Sequence, residues 1–185
     1  STGKPANGVK CAFEVRITAR DINDFVDGYT HEAELQGAIT FDQFEGEQPA
    51  TCAVEGDDSY FRYLWINPAT REAEMRYRLA FRSGTGRRFM LEGTKYMQKD
   101  PAGGVRGIRE LLDDYTTLYC HVYESLGDGS RRETGTALLK FKTFEDLAAV
   151  GNLAGFLNSF QVTGTGDPLM QLRARLRFLA FTAQF

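Results

Sequence analysis

The chain has little of what most catalytic and metal-binding sites require. Its 185 residues include two histidines, three cysteines and one tryptophan. Cys11, Cys52 and Cys120 lie far apart. No Cys-x-x-Cys pair or Cys–His cluster is present, which argues against a structural zinc site. An odd cysteine count argues against a disulfide framework and for a reducing compartment, although a single bridge is compatible with it. No apolar run approaches the roughly 20 residues of a membrane-spanning helix. No secretory leader is visible, and the expected localisation is cytoplasmic. The chain opens at Ser1 without methionine, which leaves a removed tag, leader or upstream domain open. Excess charge is also lacking. Lys and Arg number 22 against 25 Asp and Glu, a formal net charge of -3. That is too mild for a nucleic-acid binder or a polyanionic tail.

Nucleotide and nucleophile motifs are missing too. Gly84–Gly86 (GTG) has no following helix and no Lys-Ser/Thr pair, and Gly164–Pro168 (GTGDP) has no preceding βαβ unit. A Gly-x-Ser-x-Gly elbow is absent. Asp113–Asp114 and Gly127–Ser130 resemble fragments of calcium loops, but the remaining ligand positions are missing. No metal and no cofactor is expected.

What the chain does have is apolar alternation. Hydrophobic residues make up 42% and charged residues 25%, which fits one folded globular domain. Residues 1–9 read as a flexible lead-in and 10–185 as a single β-rich domain. The 14 Phe, 8 Tyr and 19 Gly lean the same way. Cys11, Phe13, Val15 and Ile17 alternate with polar residues. So do Ala33, Leu35, Gly37, Ile39 and Phe41, and then Met75, Tyr77, Leu79 and Phe81 against Arg76, Arg78 and Arg82. A short "ATCAV" strand and the segment "DSYFRYLWI", aromatic on both sides of its pleat, lie between them. Ser83–Gly86 and Gly127–Ser130 read as hairpin turns. "RDINDFVDG" reads as a short helix or turn. Val105–Leu112 reads as one or two helical turns. Thr143 with Asp146 caps a helix over "FEDLAAVGNLAGFL". Asp167-Pro168 starts another, with Leu169, Leu172, Leu176 and Leu179 at helical spacing, although alternation would also allow a strand there. The units "VRITARDINDF…LQGAIT" and "LKFKTFEDLAAV…FQVTGT" echo each other as strand, helix, strand, by duplication or by chance.

In "DDYTTLYCHVYE" the two faces differ. A sheet with one buried and one wet face would place Leu118, Cys120 and Val122 inward and Tyr119, His121 and Tyr123 outward. The reverse remains open, since aromatics also fill barrel interiors. His121 and His31 are the only histidines for acid-base work. Lys95 shares the apolar face of Phe89, Leu91, Gly93 and Met97. It is either an anchor for a ligand's carboxylate or carbonyl, paired with Asp113 or Asp114, or a strand-end lysine that snorkels to water. Arg76, Arg78, Arg82, Arg87 and Arg88 form a basic face on one hairpin, explained by cross-strand pairing with Glu or by an acidic partner.

The run "MRYRLAFRSGTGRRFMLEGTKYMQKD…DDYTTLYCHVYE" resembles a β-rich accessory region of long bacterial glucose–methanol–choline (cholesterol-oxidase-like) oxidoreductases. "TGTALLKFKTFEDLAAV…SFQVTG" resembles its continuation, so the likeness spans roughly residues 75–166. The dinucleotide fingerprint and flavin domain are absent, and Ala102–Leu112 is longer than that pattern. The resemblance therefore implies an associated module rather than oxidase activity.

The resulting expectation is a mainly β domain. Eight to ten mostly antiparallel strands would form a barrel or sandwich, lipocalin-like in outline, with two or three short helices. Its expected role is non-catalytic binding of a lipid- or sterol-like apolar molecule beside a redox or hydrolytic enzyme. Phe61, Tyr63, Trp65, Tyr77, Phe81, Phe89 and Leu91 would line the site, and Lys95 would orient a polar end. A protein-interaction module using the Arg hairpin or Tyr119/His121/Tyr123, and a small barrel cyclase or isomerase using Lys95 or His121, are the alternatives. Partner identity and oligomeric state are not encoded legibly.

Overall fold

The computed structural model describes residues 9–97, 117–140 and 160–184. Seven strands follow one another: β1 (Cys11–Thr18), β2 (Glu32–Phe41), β3 (Ala50–Ile66), β4 (Ala73–Arg82), β5 (Arg88–Met97), β6 (Thr117–Ser125) and β7 (Arg131–Lys140). Helix α1 (Ile22–Asp27) lies between β1 and β2, and α2 (Pro168–Thr182) follows β7. Each strand pairs antiparallel with the next, giving one sheet in the order β1 to β7. Among the described residues no ladder joins β1 to β7, and a closed barrel is not shown. The Thr143-capped helix over residues 144–157, the helical turns at Val105–Leu112 and the Asp113/Asp114 partners for Lys95 lie outside the described residues.

Both expected hairpin turns form. Gly86 and Gly129 each sit at φ 82°, where a Cβ would be strained. Gly86 N–H donates to Ser83 O at 2.9 Å, and Gly129 N–H to Leu126 O at 3.0 Å. Helix α2 starts at the expected Asp167-Pro168 signal, and the expected short helix or turn forms as α1, capped by Asp21. Asp21 accepts from Asn23 N and Asp24 N, and Asp167 accepts from Leu169 N, with Pro168 in the first helical turn. The Leu169–Leu179 stretch is thus helix and not strand. Residues 160–166 carry no strand, so the final strand of the sequence echo is not met. Phe160 packs its ring on Phe178 instead, at 4.7 Å.

"ATCAV" and "DSYFRYLWI" are not separate strands but one, β3, broken by two bulges. Between the pairs Glu55–Ala80 and Tyr60–Arg78, β3 carries residues 56–59 where β4 carries only Leu79. Ser59 ties the bulge down: its hydroxyl donates to Glu55 O at 2.6 Å and accepts from Ala80 N at 2.9 Å. The second bulge sits between Arg62–Arg76 and Trp65–Glu74, with Leu64 at φ 50°. An extra residue reverses the side-chain parity beyond it. Trp65 therefore shares a face with Arg76, not with Phe61 and Tyr63.

One face of the sheet carries the core. Leu35, Ile39, Phe61, Tyr77, Leu79, Phe81, Leu91, Leu118 and Cys120 are buried in one cluster, joined by Phe25 of α1 and Phe181 of α2. Leu118 and Cys120 point inward and Tyr119 outward, as alternation implies. The sheet curls strongly: Cys11 of β1 lies near enough to Cys120 of β6 to act on its ionisation. Burial first, and then Cys11, push the Cys120 thiol up to about 12. A Cβ built at Gly93 would lie 2.7 Å from both Cys120 Sγ and Leu118 Cδ2, so the interior is tightly closed there.

The opposite face is a ladder of ion pairs. Arg76 meets Glu74, Arg78 meets Glu92, and Arg82 and Arg88 share Glu55, whereas Arg87 reaches Glu45 and Glu124 on the core side, where Glu124 stands opposite Phe89. The basic hairpin is thus internally neutralised, as cross-strand pairing implies. Hydrogen bonds from Arg87 at 2.7 Å and Arg132 at 2.6 Å, with the charges of both, hold Glu124 below the usual carboxylate range. A depressed folded pKa stabilises the protein above the unfolded value and loses that contribution as pH falls through the folded one. Glu124→Gln is therefore expected to be less stable than wild type at neutral pH. The gap should close as pH falls below about 4.3, read from urea melts across pH.

Candidate functional site

The concave face has two unlike ends. At one, the β2–β3 loop folds over the sheet and Phe44 plugs it. Phe44 rings lie 4.5 Å from Phe41, 5.8 Å from Phe81 and 5.0 Å from Phe89. Phe81 and Phe89, expected as ligand contacts, belong to this closed aromatic cluster. Leu91 faces Leu79 midway along the β4–β5 pair and is buried.

The other end is covered by the helices and is chemically mixed. Phe61 and Tyr77 stand side by side at 4.5 Å, with Tyr63 5.8 Å from Phe61. Phe178 of α2 stacks on Tyr63 at 5.3 Å. Tyr63 Oη and Thr182 Oγ1 are hydrogen-bonded at 3.2 Å. Phe181 packs on His31 at 4.6 Å, and the His31 ring is held by Phe25 O through Nδ1 at 2.8 Å. Lys95 pairs with Met75 in the ladder, which sets it diagonal to Tyr77 on the inner face. Diagonal positions are about 7–8 Å apart, within reach of long side chains. Lys95 is half-buried. Burial, then Tyr63 and Cys120, push the Tyr77 phenol upward, so it stays neutral and able to donate.

The structure therefore places Phe61, Tyr63, Tyr77 and Lys95 on the inner face, with α2 resting on Tyr63. It places Phe81, Phe89 and Leu91 deeper on the same face. Trp65 is turned to the opposite face, under Arg76 at 4.5 Å and Arg62 at 5.6 Å. Sequence reading missed Phe25, Phe178, Phe181 and Thr182, and weighed His31 only as an acid-base candidate. The spacing of Phe178 and Phe181, one helical turn apart, was the available signal.

His121 lies on the outer face, exposed, with Nδ1 3.1 Å from Glu133. It and Lys95 are on opposite sides of the sheet and form no joint acid-base pair. Outside, an open groove of about 670 Å³ runs between α1 and the first β3 bulge. Arg20, Asp21, Asp24, Glu32, Glu34 and Asp57 line it, a polar wall unsuited to an apolar ligand. Among the described residues no group of three or more His, Cys, Asp or Glu is placed to hold a metal ion. No described helix is long and apolar enough to cross a membrane. Comparison with protein families, curated proteins and solved structures finds no match to this chain.

Proposed function

We propose that the domain binds a lipid- or sterol-like apolar molecule without converting it, under α2 at the helix-covered end of the concave face. The observation that carries this reading is the set of Tyr63, Tyr77 and Lys95 within an aromatic wall of Phe61, Phe178 and Phe181. An apolar surface with a few convergent polar groups suits an amphiphile with one polar end. Lys95 would meet a carboxylate or carbonyl, and the neutral Tyr77 phenol would donate to it. Leu91, midway along the face, would serve as the floor, while Phe81 and Phe89, packed under Phe44 at the closed end, would lie beyond the ligand. Entry would lift the last turn of α2, whose hold on the sheet includes the Tyr63–Thr182 hydrogen bond. The association with a redox or hydrolytic enzyme rests on the sequence resemblance. A cytoplasmic setting belongs to the same reading and is supported by the three free thiols.

Titration with an environment-sensitive fluorescent fatty acid tests the reading. Saturable binding is expected, weakened about tenfold in Lys95→Met, in line with loss of one charge-assisted hydrogen bond. Tyr77→Phe should weaken it less. No saturable binding by fatty acid or sterol probes would remove the reading.

One observation favours a second reading, an interaction module. Tyr119 and Leu138 are cross-strand partners on the outer face, 70% and 50% exposed. Paired exposed apolar residues of this kind suit a partner surface. The arginine hairpin suits it less, because its charges are already paired.

A further inference from the structure

A leucine repeat at helical spacing usually marks the buried side of a helix. In α2 it marks the outer side. The helix reaches the core through Phe181 and Thr182, while Leu169, Met170, Leu172 and Leu176 are 48–56% exposed. At 3.6 residues per turn, Leu172, Leu176, Leu169 and Ala180 fall on one outward arc. Arg173 and Arg177 border that arc on one side. Arg175 lies on the other, beyond Leu179. The helix contains no Asp or Glu. Arg177 is paired with Asp27 of α1 at 2.6 Å. Among the described residues Arg173 and Arg175 make no ion pair, and Arg175 Nε is buried without a hydrogen-bond partner.

A second copy of the chain is a poor occupant for this stripe. Packing two such helices face to face would bring arginines together with no carboxylate in either helix to offset them. Exposed leucines flanked by arginines instead match an anionic lipid surface. There apolar side chains enter the acyl boundary and guanidinium groups meet phosphates. We infer that α2 docks the domain on an anionic bilayer surface, lying in the plane of the interface with Leu169, Leu172 and Leu176 inserted. The inference extends the lipid-binding reading. The helix that would touch the membrane also carries Phe178 and Phe181, which cover the concave site, so contact and ligand entry would be mechanically linked.

Vesicle flotation of the full chain tests this, with phosphatidylcholine alone and with phosphatidylcholine containing phosphatidylglycerol. Binding is expected on the anionic vesicles only, and it should weaken as salt rises. Leu172→Ser/Leu176→Ser should reduce it about tenfold or more, and Arg173→Glu several-fold. Both changes fall on exposed positions, and an unchanged urea melt would confirm folding. Absence of binding to anionic vesicles at low salt would overturn the inference. So would binding indifferent to both variants, or leucine-dependent self-association without vesicle binding. The fluorescent fatty-acid titration without vesicles separates the two claims. Vesicle binding without probe uptake leaves the docking surface standing and removes the lipid-binding reading. Probe uptake without vesicle binding does the reverse.

Discussion

Phe81→Ala is expected to lower the unfolding free energy by about 3–5 kcal/mol, the range for a large aromatic truncated in a core. Phe81 is fully buried. Its ring is surrounded by Phe41 at 5.7 Å, Phe44 at 5.8 Å and Phe89 at 5.7 Å. Phe41 and Phe89 sit on strands with fixed ladders, and the plug loop that carries Phe44 is anchored separately by Glu45 to Ser83, Thr85 and Arg87. Such a framework collapses poorly into a void, so the cavity cost adds to the lost burial. A domain of this size is stable by about 5–15 kcal/mol in total, so the loss is a large share of it. Chemical denaturation with a tryptophan-independent probe such as far-ultraviolet circular dichroism measures it. A loss below about 1 kcal/mol would mean the closed end is not packed as described.

Arg76→Met is expected to cost about 2–3 kcal/mol. Glu74 is fully buried, although it stands on the outer, ion-paired face. Arg76 Nε donates to Glu74 Oε2 at 2.6 Å and Asn67 Nδ2 to Glu74 Oε1 at 2.6 Å, and the Trp65 ring covers the arginine. Removing Arg76 leaves a buried carboxylate with one amide, and such one-sided breaks cost about 3–5 kcal/mol when both partners are buried. Arg76 is partly exposed, so the lower figure applies. Loss of the cation–π contact adds about 0.5–1 kcal/mol within that total. The double variant Glu74→Leu/Arg76→Met should recover most of the loss, because the unpaired charge goes with its partner. If the double variant is as unstable as the sum of the singles, the pair is not the cause.

Much of the sheet was legible because its strands obey strict alternation and its hairpins carry glycines where left-handed backbone is needed. The inward set on β4, β5 and β6 follows from that alone. Asp167-Pro168 likewise marked the start of α2, whereas α1 was legible only as a short helix or turn. What failed was local and has physical causes. The bulge at Leu64 reverses the pleat, and no residue type announces it: Leu64 is an ordinary apolar residue in a strand-like run. Trp65 therefore left the expected site. Phe44 stands in an otherwise polar loop, and only tertiary closure reveals it as a plug. Glu74 looks like any solvent-facing charge until Asn67, Arg76 and Trp65 are seen to cover it. The candidate site was half legible. Tyr77, Phe61 and Lys95 lie on regular strand segments and Tyr63 at the bulge beside Leu64, whereas Phe178, Phe181 and Thr182 arrive from a helix far along the chain.

The central claim is that the α2-covered end of the concave face takes up an apolar molecule. Native mass spectrometry of gently purified protein, after exposure to a mixture of fatty acids and sterols and followed by organic extraction, tests it most directly. The account predicts a near one-to-one adduct that survives in Leu138→Ser and is lost or reduced in Lys95→Met. A bare protein mass under every mixture, with nothing apolar in the extract, would contradict it and move the domain's role to its outer face.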